Sequence, residues 1–449
     1  MTHHDNPLNL IDHFKKINHI NVEDYERFGV KRGLRNPDGT GVVAGVTNIS
    51  TVHGYVVSDG VKASDHGVLR YRGYSVEDLL SDTNPDSRLG FEEVVYLLLM
   101  GELPNTSQIN SLVGVLDSHR ELPDGFTRSL IMRNTPPSVM NVLSRSILLL
   151  YGYDDIAEDR SVQHEIDVAL SLISRIPRIA VLSYLAQRSE YHRETMFIHR
   201  YIEGHSTAET ILSGLRMNRE FTAEEARMLD VMLALHAEHG GGNNSTFTAR
   251  VLTSSDTDAY SAYAGAVGSL KGLKHGGANL QVTAMHRDIK ENVANWGDEG
   301  QVADYITKII NKQAYDQSGL VYGMGHAVYT KSDPRAVICK KFARKLAQGT
   351  DAQAELELLE TIERITPEIF ATQKGSAKEI CANVDMYSGF VYSMLGIPEE
   401  LFTPLFACAR MPGWAAHRFE EIVSGKRIVR PAYRAAKNEI KTYQPIQDR

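Results

Sequence analysis

"FEEVVYLLLMGELP", residues 91–104, is where the periodicity of the chain turns helical. Phe91, Val94, Val95 and Leu98 share one face at the 3.6-residue spacing, and Gly101 and Pro104 stop the run. Upstream, residues 41–74 hold the only sustained strand signal. There "GVVAGVTNIS", "GYVVSDG" and "GVLRYRGY" set β-branched and aromatic residues between glycine turns, which predicts two or three short strands. Downstream, helical spacing predicts helices over 138–151, 165–187, 206–215, 222–238, 257–271, 279–293, 300–312, 335–347, 354–371 and 399–424. No repeat of fixed period interrupts them. The fold class that follows is mainly α, with a few short N-terminal β-strands.

A chain of 449 residues exceeds the roughly 250–300 at which one core stops growing, so two domains are expected. Without long Ser/Pro linkers, the second must be inserted by short loops. The net charge of −8, from 48 basic and 56 acidic residues, argues against a general role on nucleic acid or membrane surfaces. Three cysteines, Cys339, Cys381 and Cys408, lack paired spacing, so neither a disulfide framework nor a cysteine zinc site is indicated. The N-terminus carries no run of signal-peptide length and no stretch of about 18 uncharged apolar residues occurs, so the reading is a soluble, cytoplasmic protein.

Four stretches combine glycine with reactive side chains. In "LHAEHGGGNNSTFTAR", His236 and His239 stand three apart at a helix end, a spacing open to a shared metal or simply to the favour that a helix C-terminus gives imidazole. Gly240, Gly241 and Gly242 then allow a ligand close to backbone. In "LKGLKHGGANLQV", His275 precedes a helix whose dipole would keep it neutral, suited to donating a hydrogen bond to a carbonyl; an ordinary turn with a satisfied histidine is the alternative. "YGMGHAVYTKSDPRA" places His326 behind Gly-Met-Gly and Arg335 behind Asp-Pro, the latter also a plain helix start. In "NVDMYSG", Asp385 is either an N-cap or, if desolvated, a base. Together these groups suit proton abstraction beside a carbonyl, then attack on a second carbonyl held by arginines. Arg335, Arg410 and Arg430 would imply a di- or tricarboxylate.

These motifs, with "FACARMPGWAAHRFEEI", "LRYRGYSVEDLL" and "RIVRPAYR", resemble the citrate synthase family of the Si type, from about Gly33 onward. The resemblance implies condensation of acetyl-CoA with oxaloacetate and water to citrate, with 2-methylcitrate synthesis from propionyl-CoA the near alternative. It gives His275 the thioester carbonyl, Asp385 the methyl proton and His326 the ketone. His239, Asn243, Arg335 and Arg410 would hold oxaloacetate, with Arg430 supplied by the partner of a homodimer. Lys378, Arg35 and Lys331 would contact coenzyme A, and no metal or cofactor is implied. Two departures stand out: Gly240 replaces an acidic residue, and Thr330 stands where many relatives carry Lys or Arg. The implied division is a large domain at 33–275 with 390–449 and a small domain at 276–389; residues 1–32 lie outside the resemblance and read as a helical extension. A non-catalytic helical dimer and a metal hydrolase built on His236 and His239 are the readings from other classes.

Overall fold

The structure is a computed structural model that describes residues 15–58, 61–80, 89–375, 379–436 and 440–448. The described chain is mostly helical, as its periodicity predicts, and forms two compact units: Gly45–Ile428, and the two termini, Met1–Ala44 with Val429–Arg449. In the terminal unit a short helix spans Val22–Arg27, and Arg27 Nη2 donates to the Ala436 carbonyl at 3.3 Å, tying the two ends of the chain together. Residues 1–14 of the expected N-terminal helix lie outside the described residues.

The larger unit opens with an antiparallel sheet of three strands in the order β1 (Ser50–Ser58), β2 (Val61–Tyr71) and β3 (Tyr74–Ser75). Thus "GVVAGVTNI" is not the strand that its valines predict: Val43 and Val46 are 88% and 91% exposed, and neither joins a ladder. The register pairs Ser50 with Tyr71 and His53 with Val68, then slips between His53 and Tyr55. That irregularity places Gly54 against the loop beyond His326. A Cβ there would lie 2.7 Å from Tyr329 Cα and 2.8 Å from the Val328 carbonyl. Gly67 on β2 is more confined still, since a Cβ there would lie 2.1 Å from the Ser332 carbonyl. Only glycine allows the hairpin to rest on this loop. Thr330, the departure noted above, secures the contact by donating to the Gly54 carbonyl at 2.6 Å and accepting from Asp65 N–H at 3.2 Å.

Eight helices carry or support the site: α1 (Gly90–Met100), α2 (Val162–His192), α3 (Ala223–His236), α4 (Asn244–Thr253), α5 (Ala278–Asn292), α6 (Pro334–Ala347), α7 (Asp385–Met394) and α8 (Phe402–Ser424). The apolar face of α1 packs inward through Phe91, Val94, Val95, Leu97 and Leu98. By length and composition α2 could cross a membrane, but 83% of its apolar window is buried within the protein, which makes it a core helix. Against it lies α8, where Arg418 makes a two-pronged ion pair with Glu165, Nε to Oε2 at 2.7 Å and Nη2 to Oε1 at 2.6 Å. Among the described residues the three cysteines are free thiols. Cys339 and Cys408 are buried, and burial raises both; Cys381 is half-buried, and burial chiefly pushes it up to about 12.

Candidate active site

Helix α3 delivers two histidines, and its exit separates their roles. The His236 ring is buried against Phe406, 4.8 Å between centroids, and its Nδ1 is 2.7 Å from the Met232 carbonyl one turn back. Burial above all, with Arg335 and Arg410 nearby, lowers it to about 3. His239, past the helix end, turns the other way: Nε2 is 3.1 Å from the Tyr329 hydroxyl, and its ring meets that of His326 edge-on at 5.1 Å. The two rings have separate partners and do not converge as metal ligands do. Gly240 follows with φ +81°, a backbone state that an acidic residue would adopt only under strain.

Asn243 caps α4: its Oδ1 accepts from Thr246 N–H at 3.1 Å, while Nδ2 donates to the Gly240 carbonyl at 2.6 Å. Both ends of this side chain therefore serve the turn. Two residues on, Ser245 N–H donates to His275 Nε2 at 3.2 Å, so that nitrogen is the acceptor and Nδ1 carries the ring hydrogen. Trp414 Nε1 in turn holds Ser245 Oγ at 3.2 Å. The helix after His275 starts only at Ala278, with Gly277 as its cap. The imidazole is kept neutral down to about 4 by burial first and the charge of Arg410 second, so the neutrality expected from a helix dipole has a different cause.

His326 has the opposite tautomer. Its Nδ1 accepts from Val328 N–H at 3.0 Å and Tyr329 N–H at 3.2 Å, leaving the ring hydrogen on Nε2. Gly323 and Gly325, at φ +85° and +86°, bend the chain beneath it. This bend is stitched to the segment before α7: Gly325 N–H donates to the Cys381 carbonyl at 2.7 Å and Asn383 N–H to the Gly323 carbonyl at 2.8 Å, bracketing an isolated bridge between Met324 and Ala382. Asn383 completes the seam with its side chain, Nδ2 donating to the Gly325 carbonyl at 2.9 Å and Oδ1 accepting from Asp385 N–H at 3.0 Å. Asp385 is therefore the first residue of α7 and not its cap. Burial raises its carboxyl to about 6 against the pull of Arg335, with Asp333 adding to the rise.

Both candidate site arginines in the larger unit, Arg335 and Arg410, are buried. Arg335, 4% exposed, gives Nε and Nη2 to Asp333 at 3.0 and 2.7 Å; the same carboxylate accepts the Arg335 backbone N–H at 3.0 Å, so Asp333 caps α6 and aims the guanidinium at once. Arg410, 1% exposed, donates Nε to the His236 carbonyl at 2.6 Å, whereas its Nη2 is buried with no partner among the described residues. A buried guanidinium nitrogen without an acceptor is costly, and an incoming carboxylate would satisfy it. Among the coenzyme A candidates, Lys331 is exposed on the loop between His326 and α6, and Lys378 lies outside the described residues. Arg35 and Arg430 belong to the terminal unit, where Arg35 Nη1 donates to the Gly39 carbonyl at 3.1 Å and Arg430 is exposed.

Sequence reasoning passed over Ser245, Asn383, Tyr329, Glu238 and His417. A signal existed for His417, which lies two turns after Arg410 on the same face of α8; for Asn383 there was none.

The sequence matches the model of the family "Citrate synthase, C-terminal domain" over residues 35–432, so the chain belongs to the citrate synthase family. It is 31% identical to the citrate synthase of Haloferax volcanii, over 94% of this chain and 99% of that protein. It is 32% identical to the 2-methylcitrate synthase of Shewanella oneidensis, over 87% and 92% respectively. A solved ternary complex of carboxymethyl coenzyme A and oxaloacetate with citrate synthase from Thermoplasma acidophilum aligns with a TM-score of 0.75 at 26% identity, covering 93% of this chain and 99% of that one.

Proposed function

We propose that this chain condenses acetyl-CoA with oxaloacetate and water to give citrate and coenzyme A. The observation that carries the reading is a pair of imidazoles locked in opposite tautomers by backbone amides, with a carboxyl raised to about 6 that Asn383 ties to the His326 bend. Asp385 takes a proton from the thioester methyl while His275 Nδ1–H donates to the thioester oxygen, which gives an enol. As its carbon attacks the ketone of oxaloacetate, the enol hydrogen returns to His275 Nδ1 and the ketone oxygen receives the proton of His326 Nε2. Water then cleaves the citryl thioester and the coenzyme A thiol leaves. Arg335, Arg410 and His239 hold the oxaloacetate carboxylates and ketone, with Asn243 shaping the turn beside them. In a homodimer Arg430 of the partner completes the clamp. Residues 276–389 close as a small domain over the rest of the chain, excluding water from the enol, and hydrogen exchange with and without oxaloacetate would read that closure. Lys378, Arg35 and Lys331 take the phosphates of coenzyme A.

Relatives named for citrate and for 2-methylcitrate synthesis match this chain about equally, so propionyl-CoA is the second reading. One methylene commonly changes discrimination by about 10- to 200-fold. The test is thiol release with oxaloacetate and either acetyl-CoA, propionyl-CoA or no acyl donor, with products weighed by mass spectrometry. A kcat/KM for acetyl-CoA at least about tenfold above propionyl-CoA is expected. The reverse ratio transfers the assignment to 2-methylcitrate; no oxaloacetate-dependent release with either thioester ends both.

A further inference from the structure

Behind Arg410 lies a carboxylate that the steps above do not use. Glu238, between the two histidines of the α3 exit, is fully buried. Its Oε1 accepts from Ser50 Oγ at 2.8 Å, Gly240 N–H at 2.5 Å and His417 Nε2 at 2.8 Å. The His417 ring must donate there, because its Nδ1 accepts from Arg250 Nε at 3.1 Å. Arg250 is itself anchored to Glu421 at 2.9 Å and to Glu420, and Glu420 accepts the Asn48 N–H at 2.7 Å. Five side chains, Ser50, His417, Arg250, Glu420 and Glu421, thus tie β1, α4 and α8 to one carboxylate.

Its other oxygen, Oε2, is buried and unpartnered among the described residues, as is Arg410 Nη2. The two side chains converge on one point of α8: a Cβ on Gly413 would lie 2.2 Å from the Ala237 carbonyl, 2.7 Å from Glu238 Oε2 and 3.2 Å from Arg410 Cδ, so only glycine lets them approach there. Burial pushes the Glu238 carboxyl up, but His417 and Arg410 more than reverse this and hold it at about 2, so it stays ionised. Arg335 has its own counter-charge in Asp333. Each guanidinium of the larger unit's site is therefore backed by one carboxylate.

We propose that Glu238 is a specificity-determining residue, acting on Arg410 through charge and offsetting that charge so that the pocket favours a dicarboxylate over a tricarboxylate. This rests on the oxaloacetate reading above, and it predicts a weak hold on the product trianion. Glu238→Gln keeps the shape and an acceptor oxygen but deletes the charge. With binding measured by calorimetry at pH 8, the ratio of citrate Kd to oxaloacetate Kd should fall about tenfold in this variant, as expected for one uncompensated charge in a low-dielectric pocket. A packing role would instead weaken both ligands alike, and an unchanged ratio overturns the proposal. In an Arg410→Gln background, Glu238→Gln should change oxaloacetate affinity less than twofold; an additive loss also overturns it. If Glu238→Gln does not fold, Glu238→Asp decides. The withdrawn charge should lower the same citrate-to-oxaloacetate Kd ratio by a smaller factor, at least about twofold, and an unchanged or raised ratio counts against the idea. Wild-type protein that binds both ligands but releases no thiol ends the functional reading and leaves the charge argument testable; wild type that binds neither ends both.

Discussion

Removing the charge of Asp385 should have two opposite effects. Asp385→Asn should turn over at least about a hundredfold more slowly while still binding oxaloacetate, because general-base catalysis commonly contributes 10²–10⁴. Near-normal turnover would refute the role. The same variant should melt at a higher temperature than wild type at pH 8. The folded carboxyl is raised from 3.8 to about 6, so its stabilising contribution is full below the lower value and is lost as pH rises through the upper one. The advantage of Asn should therefore shrink as pH falls from 6 towards 4, and kcat of wild type should fall along the same limb, about tenfold per unit below pH 6. A melting difference independent of pH would show that the carboxyl is not raised. Asp385, His275 and His326 drew notice as candidates in the sequence because reactive side chains set near glycines have few packing reasons to be there. The residues that orient them were not. Ser245 fixes the His275 tautomer from 30 positions away, and Glu238 reaches His417 across 179. Serine, glutamate and asparagine occur everywhere, and only the fold tells which of them meet.

Among the elements, the hairpin β1–β2 and the seam between the His326 bend and the start of α7 are the places to press. Gly67→Ala would drive a methyl into the Ser332 carbonyl, so the hairpin must lift from the loop that leads from His326 to Arg335. We expect a loss of about 1–3 kcal/mol in denaturant unfolding, typical of overpacking, together with a raised oxaloacetate KM. A variant as stable and as tight-binding as wild type would mean the hairpin does not set this loop. Asn383→Ala removes two hydrogen bonds that join the His326 bend to the start of α7. The expected stability cost is about 1–3 kcal/mol, with kcat falling more than KM changes, since both reacting ends lose register together. Equal changes in the two kinetic constants would reduce Asn383 to a packing role. Most helices were legible because their apolar period is strong. Helix α4 was not: "NSTFTARVLT" is rich in Ser and Thr, and its stability comes from the Asn243 cap and burial of one face. The valines before β1 misled for the converse reason, since strand propensity without a partner makes no sheet.

For the whole molecule the test falls on Arg430, an exposed residue of the terminal unit. If the residue serves a partner's site, His275→Ala and Arg430→Ala chains should complement each other. In a mixed dimer one site inherits both defects and the other neither, so free exchange of equal amounts should restore roughly a quarter of wild-type activity. Mixed dimers that form and stay inactive would place Arg430 within its own chain or outside the reaction. Such mixtures raise a practical matter of what fraction of each sample is intact, and the cysteines offer a meter. Reagents that detect released coenzyme A attack thiolates, and burial keeps Cys339 and Cys408 protonated and out of reach, with Cys381 lifted to about 12. Native protein should thus contribute little colour of its own, while each chain that opens should yield its three thiols at once. A stoichiometric step of three equivalents, superposed on steady product formation, would count unfolded chains in the same cuvette that records turnover.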